Sequence, residues 1–149
     1  MYKRILIATD GSELATRAVV HGLTLAKEVK APVTFVTVTQ PWSAFDMAQK
    51  AREGNRDPMR QFEDIAAASA KTVLDAAGQK AKDAGVACEL VHVPDQHAAE
   101  GIIATAQSKG CDLIVMGSHG RRGLSKLFLG SQTSEVLADG SVPVLVVHA

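Results

Sequence analysis

The sequence predicts a three-layer α/β/α fold, Rossmann-like, with one five-stranded parallel sheet and four helices covering both faces. Three observations lead there. Short apolar runs rich in β-branched residues alternate along the chain with stretches of helical apolar spacing. Gly85, Gly110 and Gly140 close three of the helical stretches. The run "CDLIVMG" (111–117) is apolar almost throughout, as expected of a strand with helices on both faces. An alternating β-α-β-α-β-α-β-α-β order implies a parallel, doubly wound sheet. A length of 149 residues with 46% apolar side chains suits one domain over 1–149.

Each element has its own signal. "RILIATD" (4–10) reads as a buried strand running into "DGSE", where Ser12 is an N-cap candidate. Behind it Ala15, Ala18, Gly22, Leu25, Ala26 and Val29 recur at helical spacing. "APVTFVTVT" (31–39) is a second strand. Residues 40–58 have no clean period and carry Pro41, Trp42, Gly54 and Pro58, which predicts a loop with some helix. From Asp57 to Ala84 a long alanine-rich helix presents Phe62, Ala66, Ala70, Val73, Ala77, Ala81 and Ala84 on one face. "VACELVHV" (86–93) is the third strand, and Ala99, Ile102, Ile103 and Ala106 mark the next helix. Residues 131–139 make a short helix, and "VPVLVVH" (142–148) is the last strand.

Composition narrows the function. Sixteen basic and sixteen acidic side chains cancel, so no overall field draws nucleic acid or an acidic membrane. The first apolar run meets Asp10 too early for a signal peptide, and no apolar stretch is long enough to span a bilayer. A cytoplasmic protein is expected. Cys88 and Cys111 lie in apolar runs without metal-ligand spacing and read as small core residues of a reducing compartment, rather than as a disulfide. His92, His97 and His148 do not cluster, so no protein-held metal is expected.

Open sheets of this kind bind ligands at the carboxyl ends of their strands. Two such ends carry polar chemistry, at Asp10 and at Gly117. Gly117 is followed by Gly120, then by Gly130 and Ser131 at a helix start. Glycine permits positive φ or close approach of a ligand to the main chain, and a helix start offers unpaired N–H groups. Together with Arg121, Arg122 and Lys126 and the hydroxyls of Ser118 and Ser131, this could cradle a phosphate. The alternative is a basic surface loop. The loop lacks the Gly-Lys-Ser/Thr ending of a Walker A motif, and its place after the fourth strand is wrong for a dinucleotide fingerprint. Ser118 has Met116 rather than Gly two residues before it, so it is no nucleophile elbow.

On these residues the chain resembles the universal stress proteins. The stretches that carry the resemblance are "ILIATDGSELATRAVVHGLTLA", "CDLIVMGSHGRRGLSKLFLGSQTSEVL" and "VPVLVV". The spacing of Gly117, Gly120, Gly130 and Ser131 matches the Gly-x2-Gly-x9-Gly-Ser/Thr pattern of the family's nucleotide-binding members. The resemblance implies strand order 3-2-1-4-5, with Asp10 and Gly117 flanking one crevice. It also implies ATP or another adenine nucleotide as ligand, with any Mg²⁺ arriving on the ATP. The implied nucleotide contacts are Thr9 and Asp10 after the first strand, Val38 against the adenine, Met116, and the glycine loop with Gly117, Ser118, His119, Gly120, Arg121 and Gly130, which with Ser131 and Gln132 holds the phosphates. Thr37 replaces the histidine usual before Val38, "VPDQHAAE" replaces a common turn after the third strand, and Gln132 stands where a small or apolar residue is usual.

Local roles remain possible beside these. Asp10 can help Ser12 cap the first helix, and both roles can coexist. Trp42 and Phe45 either cover the adenine side or pack as a satellite cluster under a loop. The apolar last strand, at a sheet edge, favours pairing with another chain, and the resemblance implies a homodimer through residues 142–148. The expected function is an ATP-binding stress-response regulatory module. Slow ATP hydrolysis or autophosphorylation, or a nucleotide-free dimeric scaffold, are the alternatives; no base poised to activate water stands out.

Overall fold

Ile5, Leu6 and Ile7 of strand β1 (Ile5–Ala8) have no exposed surface, and the fold is arranged around them. The computed structural model describes residues 1–119 and 129–149. β1 pairs in parallel with β2 (Val33–Val38) on one side and β4 (Leu113–Gly117) on the other. β3 (Cys88–Val93) extends the sheet beyond β2, and β5 (Val144–Val147) beyond β4, giving the order β3-β2-β1-β4-β5. The parallel sense and the order are those expected.

Alternation along the strands sends side chains to two cores. Ile5, Ile7, Val33, Phe35, Leu113 and Val115 face α1 (Glu13–Val29) and α3 (Pro58–Ala84). Leu6, Ala8, Val36, Ile114 and Met116 face α4 (Ala98–Ser108) and α5 (Ser131–Asp139). In α1, Gly22 lets the helix sit close to the sheet: a Cβ there would lie 2.6 Å from Ile7 Cδ1. Ser12 caps α1, its Oγ accepting from Ala15 N–H at 3.2 Å, and Gly85 ends α3 at φ 72°.

Two expectations need correction, the number of helices and the burial of Cys88. Among the described residues the helices number five, because α2 (Ala44–Arg52) forms within 40–58, capped by Ser43. It packs mainly against α3. The expected α3 face is the one turned inward: Ala70, Ala77 and Ala81 are buried together with Leu74, and Phe62, Ala66, Val73 and Ala84 are half-buried. A helix of 27 residues is about 40 Å long and a six-residue strand about 20 Å, so its first turns overrun the sheet. Cys111 is buried, but Cys88 is exposed because β3 is an edge strand; both are free thiols. Among the described residues no helix is long and apolar enough to cross a membrane.

Asp112 closes the amino end of β4 onto the start of β1. Its carboxylate accepts from Lys3 N–H at 2.9 Å and Arg4 N–H at 3.2 Å, while its own N–H donates to Arg4 C=O. Partial burial pushes its pKa up, but these backbone donors outweigh it and leave the carboxyl below its ordinary range. A depressed carboxylate stabilises the fold above its unfolded pKa, and that stability fades as pH falls through the lowered folded value. Asp112→Asn is expected to lower the thermal midpoint by about 2–4 °C near neutral pH. The gap between variant and wild type should close in strongly acidic buffer, as followed by circular dichroism melts across pH.

Candidate functional site

The crossover from β1 runs to β2 on one face, and that from β4 runs to β5 on the other. Between the carboxyl ends of these two strands the sheet is left uncovered. A cleft of about 380 Å³ opens there. Its apolar side is made by Val36 and Val38 of β2, Ile102 of α4 and Met116 of β4. Asp10, after β1, lies between the strand ends at Val38 and Gly117, and the first turn of α5 also lines the cleft.

The β1 end is held by local hydrogen bonds. Thr9 is buried; its N–H donates to Val36 C=O at 3.0 Å, and its Oγ1 accepts from Gly11 N–H at 3.2 Å. Asp10 Oδ1 accepts from Ser12 N–H at 2.9 Å, so the acid orders the turn into α1 while lining the cleft. Val38 owes its position to Gly101 of α4, where a Cβ would come within 2.8 Å of Val38 Cγ2.

At the β4 end, Ser118 N–H donates to Val147 C=O at 2.9 Å and its carbonyl accepts from Gly130 N–H at 2.7 Å. Residue 130 is thereby brought back against the strand from which the loop departs. Thr133 Oγ1 donates to Gly117 C=O at 2.9 Å and ties the first turn of α5 to β4. Gly130 is the N-cap of α5 and provides no side-chain cap, so the helix start offers backbone N–H donors toward the cleft. Gln132 Oε1 accepts from Ala99 N–H at 3.0 Å, reaching across to α4.

Of the expected contacts, Thr9, Asp10, Val38, Met116, Gly117, His119, Gly130, Ser131 and Gln132 line this one cleft. Ser118 is buried beside it, its Oγ 3.3 Å from His119 Nδ1. Gly120 and Arg121, like Arg122 and Lys126, lie outside the described residues. Gln40, Ala98, Ile102 and Thr133 also line the cleft and were not among the expected contacts. Gln40 was within reach of it, two residues past Val38 at the same strand end. Trp42 and Phe45 do not line the cleft, and Phe45 is 73% exposed, so neither role proposed for the pair describes Phe45.

The reason for the glycines also changes. Neither Gly117 nor Gly130 takes a positive φ; Gly130 has φ −63°. What they allow is close approach within the chain. A Cβ on Gly117 would lie 3.0 Å from Leu14 Cγ, and one on Gly130 would lie 3.0 Å from His119 Cα and 3.3 Å from Ser118 O.

Fold and cleft together define a doubly wound α/β protein with a ligand-sized site at its topological switch point. The model of the universal stress protein family matches residues 1–148, and the chain belongs to that family. Universal stress protein MJ0531 of Methanocaldococcus jannaschii is 32% identical over 99% of this chain and 82% of its own length. The solved structure of MJ0577 from the same organism superposes with a TM-score of 0.78 at 28% identity, over 99% of this chain and 96% of that one. A universal stress protein solved in complex with cAMP superposes with a TM-score of 0.70 at 25% identity, over 99% of this chain and 97% of that one.

Gly130→Ala separates the two uses of this glycine. Because the added methyl meets backbone atoms, the ligand-free protein should lose about 1–2 kcal/mol and melt about 2–8 °C lower. An unchanged ligand-free midpoint would show that the 118–130 contact does not constrain the fold.

Proposed function

We propose that the chain binds an adenine nucleotide in the switch-point cleft and acts as a regulatory module whose occupied and empty forms differ at this surface. The observation that carries the reading is the division of the cleft. Apolar strand and helix side chains (Val36, Val38, Ile102, Met116) suit a flat base, and the donor-rich start of α5 at Gly130, Ser131 and Gln132 suits phosphate oxygens. Asp10, between the strand ends that carry Val38 and Gly117, suits a ribose hydroxyl or a Mg²⁺ carried by ATP. The cAMP-bound relative supports an adenine nucleotide as the ligand class. Thr9 and Ser118 support the site from behind through the hydrogen bonds described, and His119 stands at its phosphate side.

The same reading makes the protein cytoplasmic and a homodimer through residues 142–148. The dimer is supported by the edge position of β5, whose four residues are all only half-buried. Regulation then follows from a shift in population: a ligand that binds one arrangement of the phosphate side more tightly raises the share of that arrangement.

The test is a thermal melt of nucleotide-stripped protein with and without Mg²⁺-ATP or AMP. Ligand at about a hundred times its Kd adds about 2.7 kcal/mol, a rise of roughly 5–11 °C for a chain of this size. Ala98→Trp, at the half-buried first position of α4, should fill the cleft from its rim and remove the rise. No rise in wild type at millimolar nucleotide would overturn the reading.

A further inference from the structure

The outer face of α1 carries a stripe that complements itself. Arg17, Val20, His21, Thr24, Leu25 and Glu28 recur at helical spacing and, with Val147 of β5, line a groove beside the free edge of the sheet. Val20 is apolar and yet 52% exposed. Read from either end, the stripe runs charged, apolar, polar, polar, apolar, charged, and its two end charges are opposite. An antiparallel copy of α1 therefore sets Arg17 against the partner's Glu28, Val20 against the partner's Leu25 and His21 against the partner's Thr24. The centre of that arrangement falls between Gly22 and Leu23.

β5 has its own centre at the same height. The carbonyls of Pro143 and Val147 accept from Ile114 N–H and Ser118 N–H, so by alternation Leu145 also turns toward β4. The backbone groups of Val144 and Val146 then point out of the sheet. Two β5 edges paired antiparallel about Leu145 set Val144 against the partner's Val146, and each such pair exchanges two N–H···O=C bonds. Leu145 is the register partner of Val115, and a Cβ on Gly22 would lie 3.4 Å from Val115 Cγ1. Gly22 on the helix and Leu145 on the strand are thus level. The twofold axis between antiparallel strands is normal to the sheet, so it keeps both α1 helices on one face and runs them in opposite directions. One axis serves both elements.

We propose that the α1 stripe is an interaction surface for a second copy of this chain, lying antiparallel beside the partner's α1 above the paired β5 strands, with Arg17 and Glu28 forming two symmetry-related ion pairs that set the register. This rests on the strand-paired homodimer proposed above and adds a helix layer to it. The apolar run Val144–Val147 does not by itself distinguish one strand register from another. A slip of two residues slides the helices about 7 Å past each other and parts the charges. In the single chain Arg17 is paired only with the exposed Glu13, at 3.3 Å, a contact weak enough to be shared. Glu28 has no ion-pair partner among the described residues.

Sedimentation equilibrium of the full chain tests this, with wild type beside Arg17→Glu, Glu28→Arg and the double exchange. Both residues are exposed, so circular dichroism should show every variant folded. Each single exchange creates two like-charge contacts across the axis and should raise the dimer Kd about tenfold. The double exchange restores opposite charges and should return the Kd to within about threefold of wild type. Single variants that dimerise as tightly as wild type would overturn the helix surface and leave the strand pairing standing. Weakened single variants with no recovery in the double exchange would overturn the register, since the two residues then do not face each other. A wild type that stays monomeric at high micromolar concentration would remove the strand-paired dimer, and this surface with it.

Discussion

β1 is a short strand with no exposed side chains at its first three positions, and it must be hydrogen-bonded on both edges and packed on both faces. Right-handed parallel crossovers satisfy that demand in only a few ways. Here the chain leaves β1 toward β2 with α1 on one face, and leaves β4 toward β5 with α5 on the other. The gap between those departures cannot be closed by either helix. The cleft is therefore a consequence of burying β1, and its walls are the carboxyl-end residues of β1, β2 and β4 together with the starts of α4 and α5.

The chemistry of the cleft follows from which ends meet there. Strand ends bring apolar side chains up to a polar turn at Asp10, and helix starts bring backbone N–H groups that have no partner within their own helix. The fold fills one of these needs internally, since Gln132 caps α4. Among the described residues no side chain caps the start of α5. Close approach holds the arrangement: Gly101 against Val38, Gly117 against Leu14, and Gly130 against His119 and Ser118. The walls of the site are set by contacts where a single methyl group would intrude, which favours a preformed cleft over one assembled around its ligand.

Much of this was legible in the residues. β1 and β4 read clearly because burial on both faces leaves unbroken apolar runs, and β2, interrupted by Thr34 and Thr37, because it is rich in β-branched residues. Asp10, Gly117 and Gly130 were legible because an acid at a strand end and spaced glycines at a helix start are uncommon without a reason. Cys88 misled because an edge strand exposes residues of the same types that a central strand buries. The face of α3 was legible, but not how deeply each residue on it is buried, because periodicity does not say where the sheet beneath a helix ends. Ala98 and Ile102 were invisible as site residues, since an apolar residue facing a cleft is chemically the same as one facing the core. The bond from Gln132 to Ala99 spans 33 residues between two helices, and no local pattern encodes it.

The most direct test of the account is a crystal structure of the chain with an adenine nucleotide at saturating concentration. The base is expected against Val38 and Ile102, with phosphate oxygens within hydrogen-bond reach of the backbone at residues 130–132. A nucleotide seated elsewhere on the protein, such as the groove between α1 and Val147 of β5, or a switch-point cleft holding none at saturation, would contradict it.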